Sequence, residues 1–345
     1  MTKGRKGSQS SSIFLPRKST LLWIILTICL LYGIHLLRST NSRTVNLKEL
    51  LSVSIEAARR GGYEVKKVRE KADIGEKSKG ETHEGANNPV TDGDMLSHRA
   101  MYNGILKAFP NIHIVSEESD PKPYDLDKIQ MPPLRNTEVE EIISDGFYDI
   151  PIEDIDVWID PLDATQEYTE NLNKYVTTMV CVAIKGKPVL GVIYKPFEDV
   201  LVWGWAEDVN KVNHVLREDF LKSKLGNSSK NNRFIVSRSH AGDVDQTAKK
   251  VFGQDTVTTP AGGAGYKVLE VIKGHQDAYI HVTLIKKWDI CPGNALLRAL
   301  GGNLTTLKGE EVNYSDKDEK NKGGVLAALH DHDRYVRAFR EYKNP

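Results

Sequence analysis

The chain has 345 residues, of which 39% are hydrophobic, 8% aromatic and 27% charged, with equal numbers of basic and acidic residues. This composition can bury a full core and excludes an intrinsically disordered chain. The charges are distributed unevenly, because residues 1–37 contain five basic residues and no acid. The remaining 42 of the 47 basic residues are therefore outnumbered by 47 acidic ones. That excess argues against a nucleic-acid-binding surface.

An apolar stretch near the N-terminus, "LLWIILTICLLYGIHLL", runs from residue 21 to residue 37 without a charge. With the two polar residues before it, it is long enough to cross a hydrocarbon core about 30 Å thick, so residues 19–37 predict a transmembrane signal anchor. A buried core helix and a cleaved signal peptide are the alternatives, although no small-x-small cleavage site follows. The positive-inside rule places residues 1–18 in the cytoplasm. After a stem at 38–45, the rest of the chain is expected in the lumen of the secretory pathway or outside the cell.

Three triplets in the predicted luminal part match the N-glycosylation acceptor pattern, and they begin at Asn227, Asn303 and Asn313. Only luminal or extracellular chains receive this modification, so the triplets agree with the placement predicted from the charges. Such triplets also occur by chance. They add weak support to the prediction of a luminal glycoprotein.

The chain has three cysteines: Cys29 in the predicted span, Cys181 in an apolar run and Cys291 near the acidic motifs described below. Two cysteines beyond the membrane are too few for a disulfide framework, and their spacing is not that of a zinc site. We therefore expect the hydrophobic core alone to hold the fold.

The first helix of the predicted luminal domain begins at Asn46, after which apolar residues recur at helical spacing. Asn46 followed three residues later by Glu49 is typical of a helix N-terminus. The adjacent glycines Gly61 and Gly62 are expected to end this helix or to kink it.

Shorter elements follow this helix. Residues 70–88 are polar and charged, which predicts a loop, while the patterns at 95–108 and 112–115 predict a second helix and a short strand. From about 120 to 155, five prolines lie among many acids. This long irregular segment indicates a surface insertion or lid, with a solvated linker as the alternative.

Strand patterns dominate the second half of the chain. Apolar, β-branched runs predict strands at 175–184, 188–194, 200–205, 233–237 and 278–284. The first two are joined by "KGKP", which indicates a hairpin. Helices are expected at 266–272 and 295–300. Strands mixed with helices in this way predict a layered α/β (α+β) architecture.

Acidic residues cluster where three of these elements begin or end. "IHIVSEES" ends a strand with Glu117 and Glu118, "VWIDPLDAT" does so with Asp160 and Asp163, and "IKKWDICPGN" places Asp289 before a helix. If the three clusters converge, their oxygens would bind a hard cation such as Mg²⁺ or Ca²⁺. The alternatives for each cluster taken alone are turn residues or helix caps, and a structural Ca²⁺ site.

A glycine-rich segment, "PAGGAGYK" at 260–267, precedes a predicted helix. Its backbone amides are placed to face an anion at the positive end of the helix dipole, with Lys267 nearby. The segment matches neither the Walker loop nor the dinucleotide fingerprint. An ordinary turn is the alternative interpretation.

These motifs together carry a resemblance to a known family. "VWIDPLDAT" resembles the D-P-(I/L)-D-(G/A)-T signature of the lithium-sensitive, magnesium-dependent phosphatases related to inositol monophosphatase, and "SEES" and "WDICPGNALLRALGG" match further family motifs in the same order. "VSRSH" and "PAGGAGYK" resemble the 3′(2′),5′-bisphosphate nucleotidase branch. The resemblance implies an alternating α-β-α-β-α sandwich over residues 46–345, preceded by one N-terminal transmembrane helix.

The resemblance also implies roles for particular residues. Two or more Mg²⁺ ions would be held by Glu117, Asp160, the Leu162 carbonyl, Asp163 and Asp289. Asp94 would pair with Thr165 to orient and deprotonate an attacking water. The nucleotide would be bound by Asp163, Ser237, His240, Gly263, Lys267 and Asp289. Two departures from the family pattern are Ala164, where the inositol phosphatases have glycine, and the lack of the lysine that precedes Asp94 in cytosolic relatives.

The activity implied is Mg²⁺-dependent hydrolysis of the 3′-phosphate of 3′-phosphoadenosine 5′-phosphate, the by-product of sulfotransferases, to AMP and phosphate. The implied setting is the Golgi membrane, as a single-pass type II protein with a luminal catalytic domain, and Li⁺ is the implied inhibitor. One alternative is an inositol monophosphatase, disfavoured by "PAGGAGYK" and Ala164. Another is a catalytically inactive membrane-anchored scaffold, which has no physical reason to retain mutually repelling carboxylates. The expected partner is a small nucleotide bisphosphate, and a homo-oligomer is left open.

Overall fold

The structure, a computed structural model, describes residues 23, 26–29, 43–81, 85, 87–120, 125–206, 208–225, 232–238, 243–315 and 318–343. Trp23 and residues 26–29 are helical, and Thr27 Oγ1 donates a hydrogen bond to the Trp23 carbonyl. Most of the predicted span at 19–37 lies outside the described residues. Among the residues that are described, no helix has the length and apolarity needed to cross a membrane. The folded unit analysed below is Thr44–Pro345.

Helix α1 (Leu47–Arg69) begins where the sequence predicts, because the Asn46 side chain accepts hydrogen bonds from the backbone amides of Lys48 and Glu49. These contacts satisfy two of the amides that a helix N-terminus leaves without a partner. The fully buried residues of α1, among them Leu50 and Leu51, pack on the first sheet.

Gly61 and Gly62 do not end α1, because both lie within the helix. A Cβ at Gly61 would lie 2.5 Å from Ser97 Oγ, and one at Gly62 would lie 2.6 Å from the Tyr194 ring. The glycines therefore allow neighbouring elements to pack closely against α1. Sequence alone shows glycine's conformational freedom but not the neighbour that requires its small size.

The predicted loop at 70–88 contains a hairpin instead, formed by the exposed β2 (Lys77–Glu81) and the partly buried β3 (Asn87–Val90). Its strands are short and polar, so they lack the alternation that marks a half-buried strand. Helix α2 (Asp92–Ala108) and strand β4 (His113–Ser116) follow close to their predicted positions.

The described part of the proline-rich segment packs against the domain. Its helix α3 (Thr137–Ile142) contributes the fully buried Val139. Its strand β5 (Asp149–Pro151) pairs antiparallel with β1 (Thr44–Asn46). An ion pair between Lys48 and Glu140 links α1 to α3 at 2.9 Å. These contacts show that residues 125–156 do not form a solvated linker.

The first large sheet has the strand order β4-β6-β7-β8-β9. Its remaining strands are β6 (Ile155–Asp163), β7 (Thr177–Ile184), β8 (Lys187–Lys195) and β9 (Val200–Trp205). β6 runs parallel to β4 and antiparallel to β7. The hairpin predicted from "KGKP" is confirmed: Lys185 and Gly186 take positive φ angles of 50° and 78° between β7 and β8.

The second large sheet has the order β11-β10-β12-β16-β14. Its strands are β10 (Arg233–Ser237), β11 (Val257–Ala261), β12 (Ala278–His281), β14 (Asn303–Thr305) and β16 (Val325–Ala328). A small separate sheet pairs β13 (Ile285–Lys286) with β15 (Lys320–Asn321).

Six further helices complete the described fold. They are α4 (Thr165–Thr169), α5 (His214–Leu225), α6 (Val244–Phe252), α7 (Ala264–Ile272), α8 (Lys287–Ala299) and α9 (His332–Lys343). Helix α8 begins eight residues before the predicted start at 295, so Asp289 lies in its first turn rather than before it.

The helices and sheets form alternating layers. Helices α1 and α2 cover one face of the first sheet, α7 and α8 lie between the two sheets, and α6 and α9 cover the far face of the second. The largest core cluster joins Trp158 of the first sheet, Val268 of α7 and Tyr279 of the second sheet. The predicted layered α/β architecture is therefore confirmed for Thr44–Pro345.

A disulfide bond joins Cys181 in β7 to Cys291 in α8, and both residues are fully buried. The prediction that the hydrophobic core alone holds the fold is therefore wrong, although one disulfide bond is not a disulfide framework. The residues are 110 positions apart in the sequence, so spacing alone does not reveal that they meet. By the loop-entropy argument, closing a loop of this size stabilises a fold by about 5 kcal/mol.

Helix α8 lies very close to β8 at Gly191, where a Cβ would be 2.5 Å from the Pro292 carbonyl oxygen. We expect Gly191→Ala to lower the free energy of unfolding by about 1–3 kcal/mol, because a backbone carbonyl cannot rotate away as a side chain can. Urea unfolding of the purified protein measures this change.

Gly104 in α2 provides a matched control, since a Cβ there would meet no atom within 4 Å. Gly104→Ala should stabilise the protein by about 0.5–1 kcal/mol, because alanine loses less conformational entropy in a helix. Equal effects of the two substitutions would contradict the close approach of α8 to the sheet.

Candidate active site

Three carboxylates converge at one edge of the first sheet. Glu117 follows β4, Asp160 lies in the neighbouring parallel strand β6, and Asp289 lies in the first turn of α8. One carboxylate oxygen from each residue lies within 4.8 Å of the other two. The predicted convergence is thus present in the structure. We call these three residues the acid cluster.

The environment of Asp160 fits a divalent cation. Its Oδ1 accepts a hydrogen bond from the Leu162 amide at 3.2 Å, whereas its buried Oδ2 has no hydrogen-bond partner among the described residues. Burial, followed by the charge of Glu117, raises the pKa of Asp160 well above its usual range. A buried carboxylate oxygen without a donor, beside other carboxylates, is unfavourable unless a cation is bound. The atoms that the cluster offers to a cation are all carboxylate oxygens, which suit a hard cation such as Mg²⁺.

Lys79 brings a positive charge to the cluster from the β2–β3 hairpin. Its Nζ lies 3.0 Å from Glu117 Oε1 and 2.6 Å from Glu118 Oε1. The sequence lacks the lysine that precedes Asp94 in cytosolic relatives, and Lys79 is not among the site residues predicted from it. No local signal marks it, because it is one of several lysines in a polar stretch.

Asp94 and Thr165 form a hydrogen-bonded pair beside the cluster. Thr165 Oγ1 lies 3.0 Å from both Asp94 Oδ1 and the Leu162 carbonyl oxygen, while Asp94 Oδ2 accepts from the Thr91 amide and hydroxyl at 2.7 and 2.6 Å. Asp94 is fully buried. Burial, together with the charges of Glu117 and Glu118, raises its pKa from 3.8 to about 7. The pair expected from the family resemblance is therefore in contact.

Asp163 has a structural role that the sequence did not reveal. Its carboxylate accepts hydrogen bonds from the amides of Ala264 and Gly265 at 3.0 and 2.8 Å, and from Thr177 Oγ1 at 3.1 Å. The predicted phosphate-facing amides of "PAGGAGYK" therefore include two that donate to a carboxylate of the same chain. Gly263 has a φ of 65°, and a Cβ there would lie 2.9 Å from Asp163 Oδ2.

Lys267 is the buried cation of the site. Its Nζ lies 3.4 Å from the Ala261 carbonyl oxygen and 5.1 Å from the centre of the Tyr279 ring. The residue is 3% exposed, and burial lowers its pKa. The negative charges of Asp163, Glu167 and Asp289 favour the charged form of this ammonium group, and its remaining N–H donors can bind an anion.

One cavity of about 630 Å³ is lined by the acid cluster and by Lys267. The predicted site residues on its wall are Glu117, Asp160, Leu162, Asp163, Thr165, Ser237, Gly263, Lys267 and Asp289. Asp94 reaches the cavity through Thr165. The predicted ligand His240 lies outside the described residues.

Arg238, next to Ser237, is a further charged residue that the sequence analysis missed. Its guanidinium forms ion pairs with Glu167 at 3.2 Å and with Glu170. Glu167 is buried and lines the cavity. The ion pairs tie α4, which follows the "PLDAT" motif, to the end of β10.

Ala164 departs from the glycine of the inositol phosphatases at a position with a left-handed backbone, φ 72° and ψ 44°. Glycine takes this conformation without steric cost, whereas alanine pays roughly 1 kcal/mol. The turn after "DPLD" therefore explains why a glycine is usual here. The chain keeps the same turn with alanine.

A cluster of one buried and two half-buried carboxylates, shared between the edge of a mixed sheet and the first turn of a helix, defines a layered α/β enzyme suited to divalent cations. A sequence model of the inositol monophosphatase family matches residues 46–344. The chain belongs to the inositol monophosphatase family, a family of phosphatases. The resemblance stated from the motifs is thus confirmed.

Two relatives show the range of names within the family. The chain is 48% identical over 294 residues to the Golgi-resident adenosine 3′,5′-bisphosphate 3′-phosphatase of Rattus norvegicus, covering 83% of this chain and 79% of the rat protein. It is 51% identical over 296 residues to Inositol monophosphatase 3 of Danio rerio, covering 83% and 82% of the two chains.

Solved structures agree with the fold. The extragenic suppressor protein suhB from Bartonella henselae superposes with a TM-score of 0.61 at 18% identity, covering 85% of this chain and 98% of that one. CysQ from Bacteroides thetaiotaomicron, a bacterial member of the family, gives 0.57 at 20% identity, with coverages of 82% and 98%. At these identities the similarity concerns the fold alone.

The raised pKa values predict how the stability of the metal-free protein depends on pH. Asp94 has a folded-state pKa of about 7 against 3.8, so the folded protein holds a proton that the unfolded chain releases. This proton stabilises the folded protein fully at a pH below the unfolded-state pKa of 3.8, and the stabilisation is lost as the pH rises through the folded-state pKa of about 7. Relative to Asp94→Asn, the wild type in EDTA should lose on the order of 4 kcal/mol of unfolding free energy between about pH 4 and pH 8.

Urea unfolding across this pH range measures the effect, with Mg²⁺ in place of EDTA as the control. A bound cation offsets the charges of Glu117 and Glu118, so the loss should shrink when Mg²⁺ is present. A wild type that gains stability over Asp94→Asn as the pH rises in EDTA would contradict the assignment of Asp94 as a buried acid with a raised pKa.

Proposed function

We propose that this protein is a Mg²⁺-dependent 3′(2′),5′-bisphosphate nucleotidase that converts 3′-phosphoadenosine 5′-phosphate to AMP and phosphate. The observation that carries the proposal is that the acid cluster and the buried Lys267 line the same cavity. A substrate with two phosphates can contact both the cation at the acid cluster and Lys267 in such a cavity. One phosphate would lie at the cation site, and the second would bind beside Lys267, whose charge also interacts with Asp163, Glu167 and Asp289.

The relatives support this assignment. The rat protein is named as an adenosine 3′,5′-bisphosphate 3′-phosphatase. The zebrafish relative is named Inositol monophosphatase 3, which makes hydrolysis of inositol monophosphate the second candidate. The buried Lys267 favours the nucleotide over the inositol phosphate.

The carboxylates of Glu117, Asp160 and Asp289 would hold Mg²⁺, with Asp163 and the Leu162 carbonyl as further ligands expected from the family. Bound divalent cations lower the pKa of a nucleophilic water and offset charge on the transferred phosphoryl group. Li⁺ is the inhibitor we expect, by taking a cation position.

Thr165 and Asp94 would act on the attacking water. The Thr165 hydroxyl donates to Asp94 at 3.0 Å, so its lone pairs are directed to accept a hydrogen bond from that water. Asp94 then takes up the proton, and a pKa of about 7 suits a base that works near neutral pH. The Thr91 contacts fix the orientation of the Asp94 carboxylate.

Phosphate release by the full-length protein, purified in detergent, tests the proposal. With Mg²⁺ the rate on 3′-phosphoadenosine 5′-phosphate should exceed that on inositol 1-phosphate, and EDTA or Li⁺ should suppress it. A preference for inositol 1-phosphate would support the second candidate. No release from either substrate by folded protein would reject both.

Lys267→Met separates the role of the second phosphate. Loss of a buried charge-assisted contact, worth about 1.5–3 kcal/mol, should raise KM for 3′-phosphoadenosine 5′-phosphate by roughly 10- to 100-fold. Hydrolysis of 3′-AMP, which lacks the 5′-phosphate, should change far less. Lys250→Met, at an exposed lysine, is the matched control. Equal losses on both substrates would show that Lys267 does not bind the 5′-phosphate.

We further propose that the domain faces the Golgi lumen and is anchored by residues 19–37, where it would clear a sulfotransferase by-product. The basic residues before the apolar stretch support this orientation. The Cys181–Cys291 disulfide is typical of an oxidising compartment. The name of the rat relative includes the words Golgi-resident.

A luminal domain predicts glycosylation at Asn313, which is exposed, whereas Asn303 is half-buried in β14 and Asn227 lies outside the described residues. Treatment of the cell-expressed protein with an endoglycosidase should increase its electrophoretic mobility. Asn313→Gln should reduce that change, and Asn303→Gln should leave it unaltered. A protein whose mobility is unaffected by the endoglycosidase in all three forms would argue against the luminal placement.

A further inference from the structure

The acid cluster is divided between two elements of the fold. Glu117 and Asp160 belong to the first sheet, whereas Asp289 belongs to helix α8. Without a cation, the three carboxylates repel one another. The repulsion therefore acts to separate the first turn of α8 from the edge of the sheet.

The Cys181–Cys291 disulfide joins the same two elements next to the cluster. Cys291 is two residues after Asp289 on α8. Cys181 pairs across the β6–β7 ladder with Trp158, which is two residues before Asp160 on β6. On α8 the disulfide is therefore two residues from Asp289. On the sheet, its other cysteine lies opposite Trp158, which is two residues from Asp160.

The first turn of α8 has fewer backbone hydrogen bonds than an ordinary helix turn. Pro292 lies inside the helix and has no N–H, so the hydrogen bond to the Trp288 carbonyl cannot form. The turn that contains Asp289 is therefore joined to the next turn of α8 by one backbone hydrogen bond fewer. A bond at Cys291 supplies a connection at this point, directly to the sheet.

The packing on the sheet leaves little room for adjustment. Gly191 pairs with Cys181 across the β7–β8 ladder, and the Pro292 carbonyl approaches the Gly191 backbone closely. On its other side, Gly293 contacts Val268 of α7, where a Cβ would lie 2.7 Å from a Val268 methyl group. Helix α8 is held between β8 and α7, with the disulfide between these contacts and Asp289.

We infer that the Cys181–Cys291 disulfide is a positioning device for the cation site: it holds Asp289 against Glu117 and Asp160 and thereby raises the affinity for divalent cations. The inference rests on the cation site of the proposed function. It assigns the cysteine pair no contact with the substrate. Besides the stability that the closed loop contributes, the oxidised and reduced proteins then differ in cation affinity.

The redox step is simple thiol–disulfide exchange. Two thiols lose two protons and two electrons as the bond between Cys181 and Cys291 forms. Glutathione disulfide accepts them and becomes two molecules of glutathione. Because both cysteines are fully buried, glutathione reaches them only when the fold opens locally, so each redox mixture is followed until its thiol content is constant.

The first experiment compares binding of Mn²⁺ alone to the wild type and to Cys181→Ala/Cys291→Ala, by the electron paramagnetic resonance signal of the free ion. The double variant should bind about tenfold more weakly, within the usual range for coupling between two sites. Phosphate release at saturating Mg²⁺ should be nearly retained, since the substrate contacts are unchanged.

Phe339→Ala is the control for general destabilisation, because Phe339 is buried in the cluster beneath α9, a different core cluster from the one that contains the disulfide. It should leave Mn²⁺ affinity unchanged under conditions in which it is folded. An equal loss of affinity in Phe339→Ala would overturn the inference, because loss of stability alone would then explain the effect.

The second experiment uses the wild type and does not depend on the variant folding. Coupling between two equilibria is reciprocal, so saturating Mg²⁺ should favour the disulfide by the same factor of about ten in a glutathione redox titration. A titration that is unaffected by Mg²⁺ would overturn the inference, as would free thiols at both cysteines in the folded, oxidised protein.

The outcomes separate this inference from the proposed function. Equal Mn²⁺ affinity in the wild type and the double variant would overturn only the role of the disulfide and leave the nucleotidase intact. A wild type that binds no Mn²⁺ would overturn both, because the cation site itself would be absent. Activity on a substrate other than the nucleotide would change the proposed function but not the coupling.

Discussion

The repulsion among the carboxylates of the acid cluster is the constraint on which the rest of the site depends. Glu117, Asp160 and Asp289 bring oxygens within 4.8 Å of one another, and Asp160 Oδ2 has no hydrogen-bond donor among the described residues. Burial raises the pKa values of Asp160 and Asp289 well above their usual range. Such an arrangement lowers stability without a cation and binds a cation strongly. The fold must therefore hold the acids in place.

Several features of the fold oppose this repulsion. The parallel pairing of β4 with β6 fixes the sheet-borne acids. Gly191 admits the backbone of α8, and the Cys181–Cys291 disulfide joins α8 covalently to the sheet. Lys79 contributes a charge to Glu117 from the β2–β3 hairpin. The sheet and the helix are thus rigid supports, whereas the hairpin lies at the surface.

Much of the site could be predicted from the sequence, because its signals are local. Acids at strand ends, the "DPLDAT" motif and the helix start at Asn46 each depend on a few adjacent residues. The disulfide and the contact of Lys79 with Glu117 depend instead on residues far apart in the chain, for which spacing carries no information. The same holds for Asp163, whose partners are the amides at the start of α7. The sequence did not reveal that α1 continues through Gly61 and Gly62, because their small size is required by residues that are close only in space.

Two assays that compare Asp160→Asn with the wild type test whether the fold holds the carboxylates together for a cation. They are Mn²⁺ binding by equilibrium dialysis and urea unfolding in EDTA. The asparagine side chain keeps an oxygen that accepts from the Leu162 backbone N–H, and it removes the negative charge of the Asp160 carboxylate. Asp160→Asn should bind fewer ions and yet unfold at a higher urea concentration than the metal-free wild type. A variant that binds Mn²⁺ as the wild type does, or that is less stable than the metal-free wild type, would contradict the claim that the carboxylates are held together for a cation.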